Sequence, residues 1–358
     1  MTEDCLKLTT YVGERHRIDG HFLADAQVDL FGRHGVAGSI LLRGAEGFGL
    51  KHHLRSDRLL SLSEDLPVVS VAIDTRPRVE AVLDELRTVQ QTGLITLERA
   101  RMLRGEIGPV VLPEDLHEAT KLTVYIGRRD RVGRVPTFVA VCDLLHRHGV
   151  AGATVLLGVD GTRHGERTRA RFFAGNADVP MMIIAVGAGD RIGRVLPELG
   201  GLLDRPLITL ERVRVCKRDG QLIDPPHALP ATDSHGMAMW QKLMIYTSEG
   251  SLSDGRPVHR AIVQQLRRSG ARGATAIRGV WGFAGSRRPQ GDRLFQLGRR
   301  VPVLTIVIDS PERIPASFSI IDDLTREHGV VTSEMVPALT AMSGTTRHGG
   351  LRLARHRY

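Results

Sequence analysis

Three stretches of this sequence join closely spaced glycines to a basic run, and they carry its most suggestive chemistry. The first reads Arg43-Gly44-Ala45-Glu46-Gly47-Phe48-Gly49 and the third Arg278-Gly279-Val280-Trp281-Gly282-Phe283-Ala284. The second, Leu157-Gly158-Val159-Asp160-Gly161-Thr162-Arg163, keeps the glycines but has neither the leading Arg nor the Phe. Glycines at this spacing let successive backbone N–H groups turn toward an anion, as phosphate-binding loops do. They also suit a plain turn ahead of a solvated loop, and spacing alone leaves both readings open. Cations follow each stretch: Lys51, His52, His53, Arg55 and Arg58; then Arg163, His164, Arg167, Arg169 and Arg171; then Arg287, Arg288 and Arg293.

Catalytic chemistry has less support. His146 and His148 stand two apart on a predicted helix and point to different faces, so they make no metal pair. His34 and His148 read as helix-end residues and His52-His53 as loop residues. Asp74 and Asp309 end a predicted strand where the middle stretch has Gly187, which favours a turn role. No nucleophile–base pair recurs. The expectation is a non-enzyme with no catalytic residue and no metal.

The elements that position these residues are written three times. Lys7-Leu8-Thr9-Thr10-Tyr11-Val12-Gly13 returns as Lys121-Leu122-Thr123-Val124-Tyr125-Ile126-Gly127 and again as Lys242-Leu243-Met244-Ile245-Tyr246-Thr247. His34-Gly35-Val36-Ala37-Gly38 returns as His148-Gly149-Val150-Ala151-Gly152 and, altered, as Ser269-Gly270-Ala271-Arg272-Gly273. Ile95-Thr96-Leu97-Glu98-Arg99 returns as Ile208-Thr209-Leu210-Glu211-Arg212. Ordered words at constant offsets mark internal repeats.

In the first copy, period-two alternation predicts a strand over Leu6–Val12, helical spacing a helix over His21–His34, and apolar runs strands over Ser39–Arg43 and Val68–Asp74. A helix over Pro77–Thr92 ended by Gly93 and a strand over Leu94–Arg101 complete it. The order is β-α-β-β-α-β. The second copy has predicted helices at Thr137–His148 and Arg191–Leu203, the third at Val258–Ser269 and Glu312–His328. Arg104–Thr120 and Lys217–Gln241 read as linkers, and the Ser/Gly/Arg/His-rich segment 337–358 as a disordered tail.

Such a unit covers one sheet face with its helices and leaves the other to find a partner. On the uncovered face lie Lys7 and Tyr11, Lys121 and Tyr125, Lys242 and Tyr246. Their recurrence predicts inter-copy packing, with three sheets closing about a pseudo-threefold axis.

The chain has 358 residues, 49 Lys+Arg against 40 Asp+Glu, and a net charge of +9. Arg supplies nearly all the positive charge, which fits either base composition of the gene or a partner rich in phosphate or carboxylate. With 4% aromatic residues, stacking platforms for single-stranded nucleic acid are scarce. Cys5, Cys142 and Cys216 have no short spacing, which argues against a disulfide framework or a zinc site. No apolar run approaches the ~20 residues of a membrane helix, and the N-terminus does not read as a signal peptide. The expectation is a cytoplasmic protein.

The words Lys-Leu-x-x-Tyr, His-Gly-Val-Ala-Gly, Arg-Gly-x-x-Gly-Phe-Gly, Leu-Pro-Val-Val and Ile-Thr-Leu-Glu together resemble domain-of-unknown-function family 190, grouped with the PII-like signalling proteins. The resemblance covers about Leu6–Met102 and Lys121–Val215 well and Lys242–Met335 less well. It implies an α+β chain of three ferredoxin-like PII-like domains, at 6–103, 121–216 and 242–336, closed as a single-chain pseudo-trimer, so that a monomeric chain is equivalent to a trimer. In such relatives adenine nucleotides bind between neighbouring subunits, and the loop between strands two and three docks on a target such as a transporter, channel or enzyme.

The resemblance places a ligand at the loop base, on Arg43, Gly44, Gly47, Phe48 and Gly49, on Gly158 and Gly161, and on Arg278, Gly279, Gly282 and Phe283. It also places one at the end of strand four, on Arg99, Arg101, Arg212 and Arg214. The third copy lacks these last arginines, so the clefts differ, and the PII-type glycine-rich turn before strand four is absent. The implied function is regulatory, with a small anionic ligand such as an adenine nucleotide, a partner protein and no required cofactor. A ligand-independent accessory protein of a membrane channel or transporter, with fluoride channels suggested by family association, is the alternative. Nucleic-acid binding is the more distant one.

Overall fold

The computed structural model describes residues 2–49, 52–56, 65–108, 110, 112, 119–169, 179–285, 288–291, 301–343 and 346–356. In the first copy the strands are Thr2–Gly13, Gly38–Arg43, Pro67–Thr75 and Thr92–Arg104, and the helices Leu23–Arg33 and Arg76–Val89. In the second they are Thr120–Gly127, Gly152–Leu157, Pro180–Gly187 and Leu207–Arg212, with helices Thr137–Arg147 and Gly189–Leu202. In the third they are Trp240–Ser248, Ala274–Arg278, Pro302–Asp309 and Val330–Val336, with helices Val258–Arg268 and Ile314–Leu324. Each sheet is antiparallel and runs second–third–first–fourth.

The His-Gly-Val word is a helix stop. Gly35, Gly149 and Gly270 have φ of 55, 67 and 80°, and the next residue's N–H reaches back to the helix, Val36 to Phe31 O, Val150 to Leu145 O and Ala271 to Leu266 O. This double-bonded ending needs a left-handed residue, which glycine adopts without strain. Asp74 and Asp309 serve the loop that follows: their carboxylates accept the N–H groups of Ala37 and Arg272 at 2.7 and 3.1 Å. His34 and His148, at the helix ends, meet Glu85 and Glu198 of the second helix at 2.8 and 2.9 Å.

Helices cover one face of each sheet, with Leu30, Phe31, Val82 and Leu86 packed on Leu8 and Leu97 in the first copy. The other faces meet in a core shared by all three copies, which includes Ile40, Tyr125, Met182, Met244, Ile277, Leu304 and Leu339. At its centre Lys7, Lys121 and Lys242 are buried, with Glu98, Glu211 and Glu334 between them. Register sets half of these contacts, since Lys7, Lys121 and Lys242 lie opposite Glu98, Glu211 and Glu334 of their own fourth strands. The other half crosses copies. Lys7 bonds Glu211, Lys121 bonds Glu334 and Lys242 bonds Glu98. Contacts within copies, at 3.2, 3.2 and 2.8 Å, close an alternating ring of six charges.

Two strand exchanges also close the three copies. Short strands at Glu46–Phe48, Asp160–Arg163 and Trp281–Ala284 leave their own sheets to pair with the second strand of the third, first and second copies respectively. In the opposite sense, residues 101–104 pair with the fourth strand of the second copy, Arg214–Arg218 with that of the third, and Ala338–Ser343 with that of the first.

The last pairing corrects the reading of 337–358 as disordered. Ala338–Ser343 and Thr346–Gly350 form a hairpin. Leu339 and Ala341 join the shared core, while Ala338 and Met342 join the helix-side core of the first copy. Both faces of this strand are buried, which outweighs the polar composition around it. Gly93 is also corrected: the helix stops at Val89, and Gly93 is the second residue of the fourth strand, with φ 88°, where a Cβ would strike Tyr11 O.

Removing one partner from a buried ion cluster strands the others, at a cost of ~3–5 kcal/mol. Lys121→Met is expected to lose stability on that scale in urea titration, and Lys121→Met combined with Glu334→Leu to recover part of it. Burial pushes Glu98 and Glu334 upward, but the three lysines overcome it and hold both carboxyls below their usual value. Burial lowers Lys7 and Lys242, but the glutamates overcome that and leave both raised; in Lys121, burial wins. Carboxyls depressed in the folded state contribute stability above their unfolded pKa of about 4.3 and lose it as pH falls toward the folded value. Thermal unfolding should therefore show stability declining below about pH 4. Glu98→Gln should flatten that acid limb.

Candidate ligand cleft between the first and third copies

A cavity of about 210 Å³ lies where the first and third copies meet. From the first copy come Tyr11, Gly13 and His16 after the first strand, Gly47, Phe48 and Gly49 at the exchange strand, His53 and Arg55 beyond it, and Leu94. From the third come Trp240, Arg272, Gly273, Ile306 and Ile308, and the C-terminal strand adds Leu339, Ala341 and Ser343. Trp240, Ile306, Ile308 and Leu339 are buried. The cations are more open, with the Arg55 and Arg272 side chains 29% and 37% exposed.

Each cation is held in place. Arg272 lies over the Trp240 ring, 5.1 Å from its centroid, and 3.4 Å from Asp309. Arg55 pairs with Asp65 at 2.9 Å. A single carboxylate leaves donors of a guanidinium unused, since the group carries five. His16 Nδ1 accepts the Gly13 N–H at 3.2 Å, and the Phe48 ring stacks on His52. The Trp240 indole N–H is buried and has no acceptor among the described residues. The arrangement presents apolar and aromatic surface inside and cations outside, which suits a planar ring bearing an anion.

The glycines have a simpler cause than an anion cradle. A Cβ on Gly44 would lie 2.9 Å from Pro67 O, on Gly47 2.6 Å from Ala274 O, and on Gly279 2.9 Å from Val155 O. On Gly161 and Gly282 it would overlap Ser39 O and Ala153 O, and on Gly158 it would lie 2.6 Å from Ile40. Each lets a neighbouring backbone approach. Gly47, Phe48 and Gly49 do line the cavity; Phe283 instead packs into the second copy's core and against His146.

Several expected ligand residues lie elsewhere. Arg43 and Arg278 pair with Glu14 and Glu249 at 3.0 Å, at the end of their own first strands, and neither lines the cavity. Arg99, Arg101, Arg212 and Arg214 also lie outside it. They alternate with Glu98 and Glu211 and so face away from the shared core; Arg101 is 3.9 Å from Asp4, and Arg214 is 3.2 Å from Asp224. Lys51, Arg58, Arg171, Arg287 and Arg293 fall outside the described residues.

Tyr125 is buried, and Tyr11 and Tyr246 pack against the shared core, with burial raising all three phenols. Sequence reasoning missed Trp240, Arg272 and the three glutamates. The signal was present: Trp240 stands where the other copies have Cys5 and Ala119, and Arg272 where they have Ala37 and Ala151. The three thiols are buried and pushed up by burial, Cys216 to about 12, which removes the thiolate that reactive cysteines need. Among the described residues no helix is long and apolar enough to cross a membrane.

A repeated antiparallel α+β unit with a cleft between copies is a class, and sequence comparison identifies its family. The chain belongs to the DUF190 family, described as "Uncharacterized ACR, COG1993", whose model matches residues 5–102, 119–215 and 240–338. It is similar to a UPF0166 protein of Aquifex aeolicus, 29% identical over 97 residues, which are 27% of this chain and 90% of that protein. A UPF0166 protein of Methanocaldococcus jannaschii is 25% identical over 100 residues, 28% of this chain and 92% of its own length. One such relative therefore corresponds to a single copy.

The two kinds of glycine should separate on substitution. Gly161→Ala forces a backbone apart and is expected to cost ~1–3 kcal/mol, the range for overpacking. Gly49→Ala, with nothing within 4 Å of its Cβ, should leave the melting temperature nearly unchanged. Equal effects in thermal unfolding would return the glycines to a role other than strand approach.

Proposed function

We propose that this chain is a single-chain trimer of ferredoxin-like, PII-like units. In this reading it is a non-enzymatic regulatory protein that binds a small anionic ligand between copies. The observation that carries the reading is the cavity at a copy junction, at the root of the segment between the second and third strands, which joins aromatic walls to arginine. An adenine nucleotide is the ligand favoured, with its ring against apolar surface and its phosphate toward Arg55 and Arg272. Occupancy would act on the exchange strand Glu46–Phe48, which forms one wall and leads into that segment. The segment is the element proposed to meet a partner protein.

The test is calorimetry and thermal shift of the purified chain at low salt with ATP, ADP, AMP and cyclic AMP. A ligand at 100 times its Kd should stabilise the fold by ~2.7 kcal/mol. Light scattering should show one chain per particle. No heat and no shift with any of the four would overturn the ligand reading.

A further inference from the structure

The three junctions are built to one plan and yet are not alike. In the second and third copies the exchange strand pairs one residue further than in the first. It reaches Arg163↔Gly38 and Ala284↔Gly152. In the first copy the ladder ends at Phe48↔Ala274, and Gly49 and Gly273, the next residues, line the cavity.

The same contrast appears in the side chains. Leu207 and Val330, at the start of their fourth strands, are buried at 0% and 4%, whereas Leu94 in the same position is only partly buried and lines the cavity. Tyr246, the counterpart of Tyr11, packs with Val186, Val213, Val215 and Ala119 at the junction of the second and third copies. At the junction of the first and second, Leu207 lies so close to Gly38 that a Cβ there would be 2.7 Å from it. Arg163, where the first copy has Gly49, forms an ion pair with Asp130.

From this we infer that the chain has one ligand site rather than three, at the junction of its first and third copies, and that Trp240 and Arg272 determine what it accepts. The inference rests on the ligand reading above and narrows it. Only the third copy carries Trp and Arg at these positions, and there it meets the first copy, so no other junction repeats the pair. The indole supplies aromatic surface in the cavity wall. The guanidinium above it is tied to Asp309 and so stays positioned. The ligand class is one planar heteroaromatic ring carrying one anionic group. A cavity of about 210 Å³ is smaller than the roughly 300–1,000 Å³ of drug-sized pockets, which favours a mononucleotide with exposed phosphate over a dinucleotide.

The experiment uses the full chain with Trp281→Phe, which leaves Trp240 as the single tryptophan. It is titrated with AMP, cyclic AMP and ATP by calorimetry and by fluorescence. The expected result is one ligand per chain, with Trp240 emission changing along the same isotherm. Arg272→Ala, the residue the other copies have, should weaken binding at least tenfold while circular dichroism shows the chain still folded. Trp240→Phe keeps the ring, removes the N–H, and should weaken binding less. Two or three equal sites, or one site indifferent to Arg272→Ala and silent in Trp240 fluorescence, would overturn this inference and leave the broader ligand reading standing. No binding of any probe would overturn both.

Discussion

The ring of Lys7, Glu98, Lys242, Glu334, Lys121 and Glu211 is the constraint on which the rest of the structure depends. Each lysine lies opposite the glutamate of its own copy and bonds the glutamate of the next. Each lysine also contacts the glutamate of its own copy, so the three copies share one alternating ring rather than three separate pairs. Measured against a well-packed apolar core such a cluster adds little stability, since desolvation of six charges offsets their attraction. Its effect is on specificity. Sliding one sheet face over another would part these charges and leave some of them buried and unpaired, which is costly.

That register dictates where backbones must cross. Once the faces are fixed, the exchange strands lie against second strands of neighbouring copies, close enough that Gly47, Gly161, Gly279 and Gly282 have no room for a side chain. Extensions of the fourth strands run the other way round the ring. The C-terminal strand Ala338–Ser343 makes the last of these pairings, back onto the first copy. The hairpin beyond the third copy thus completes the assembly, and the sheet edge at Thr92–Leu97 is paired rather than left open, as sheet edges generally need to be.

Much of this was legible. Period-two and helical patterns placed the main elements, the repeats gave the copy number, and recurrence of Lys and Tyr pointed to faces that meet. The glutamates were visible in Ile-Thr-Leu-Glu, but a strand pattern does not say which charge on a neighbouring strand lies opposite Lys7; that follows from register. The exchange strands were hidden because three or four residues carry no readable periodicity, and their partners are more than a hundred residues away. Strand-four arginines drew attention by charge, yet alternation turns them from the face that carries Glu98. Trp240 and Arg272 were hidden for the opposite reason. Reading for what recurs passes over the positions where one copy departs.

Those departures are what a fused chain allows. In an assembly of three identical subunits, a tryptophan in place of Cys5 and an arginine in place of Ala37 would appear at every junction. The relatives that match one copy over 90% and 92% of their own lengths are the size of such a subunit. Here each substitution occurs once, and both fall on the copy that faces the shortened exchange ladder of the first. Meanwhile Leu207 packs tightly against Gly38 at one of the remaining junctions, and Tyr246 against three valines at the other. One junction can then trade packing for a cavity while two hold the ring of charges together. A homotrimer would have to weaken all three to open one.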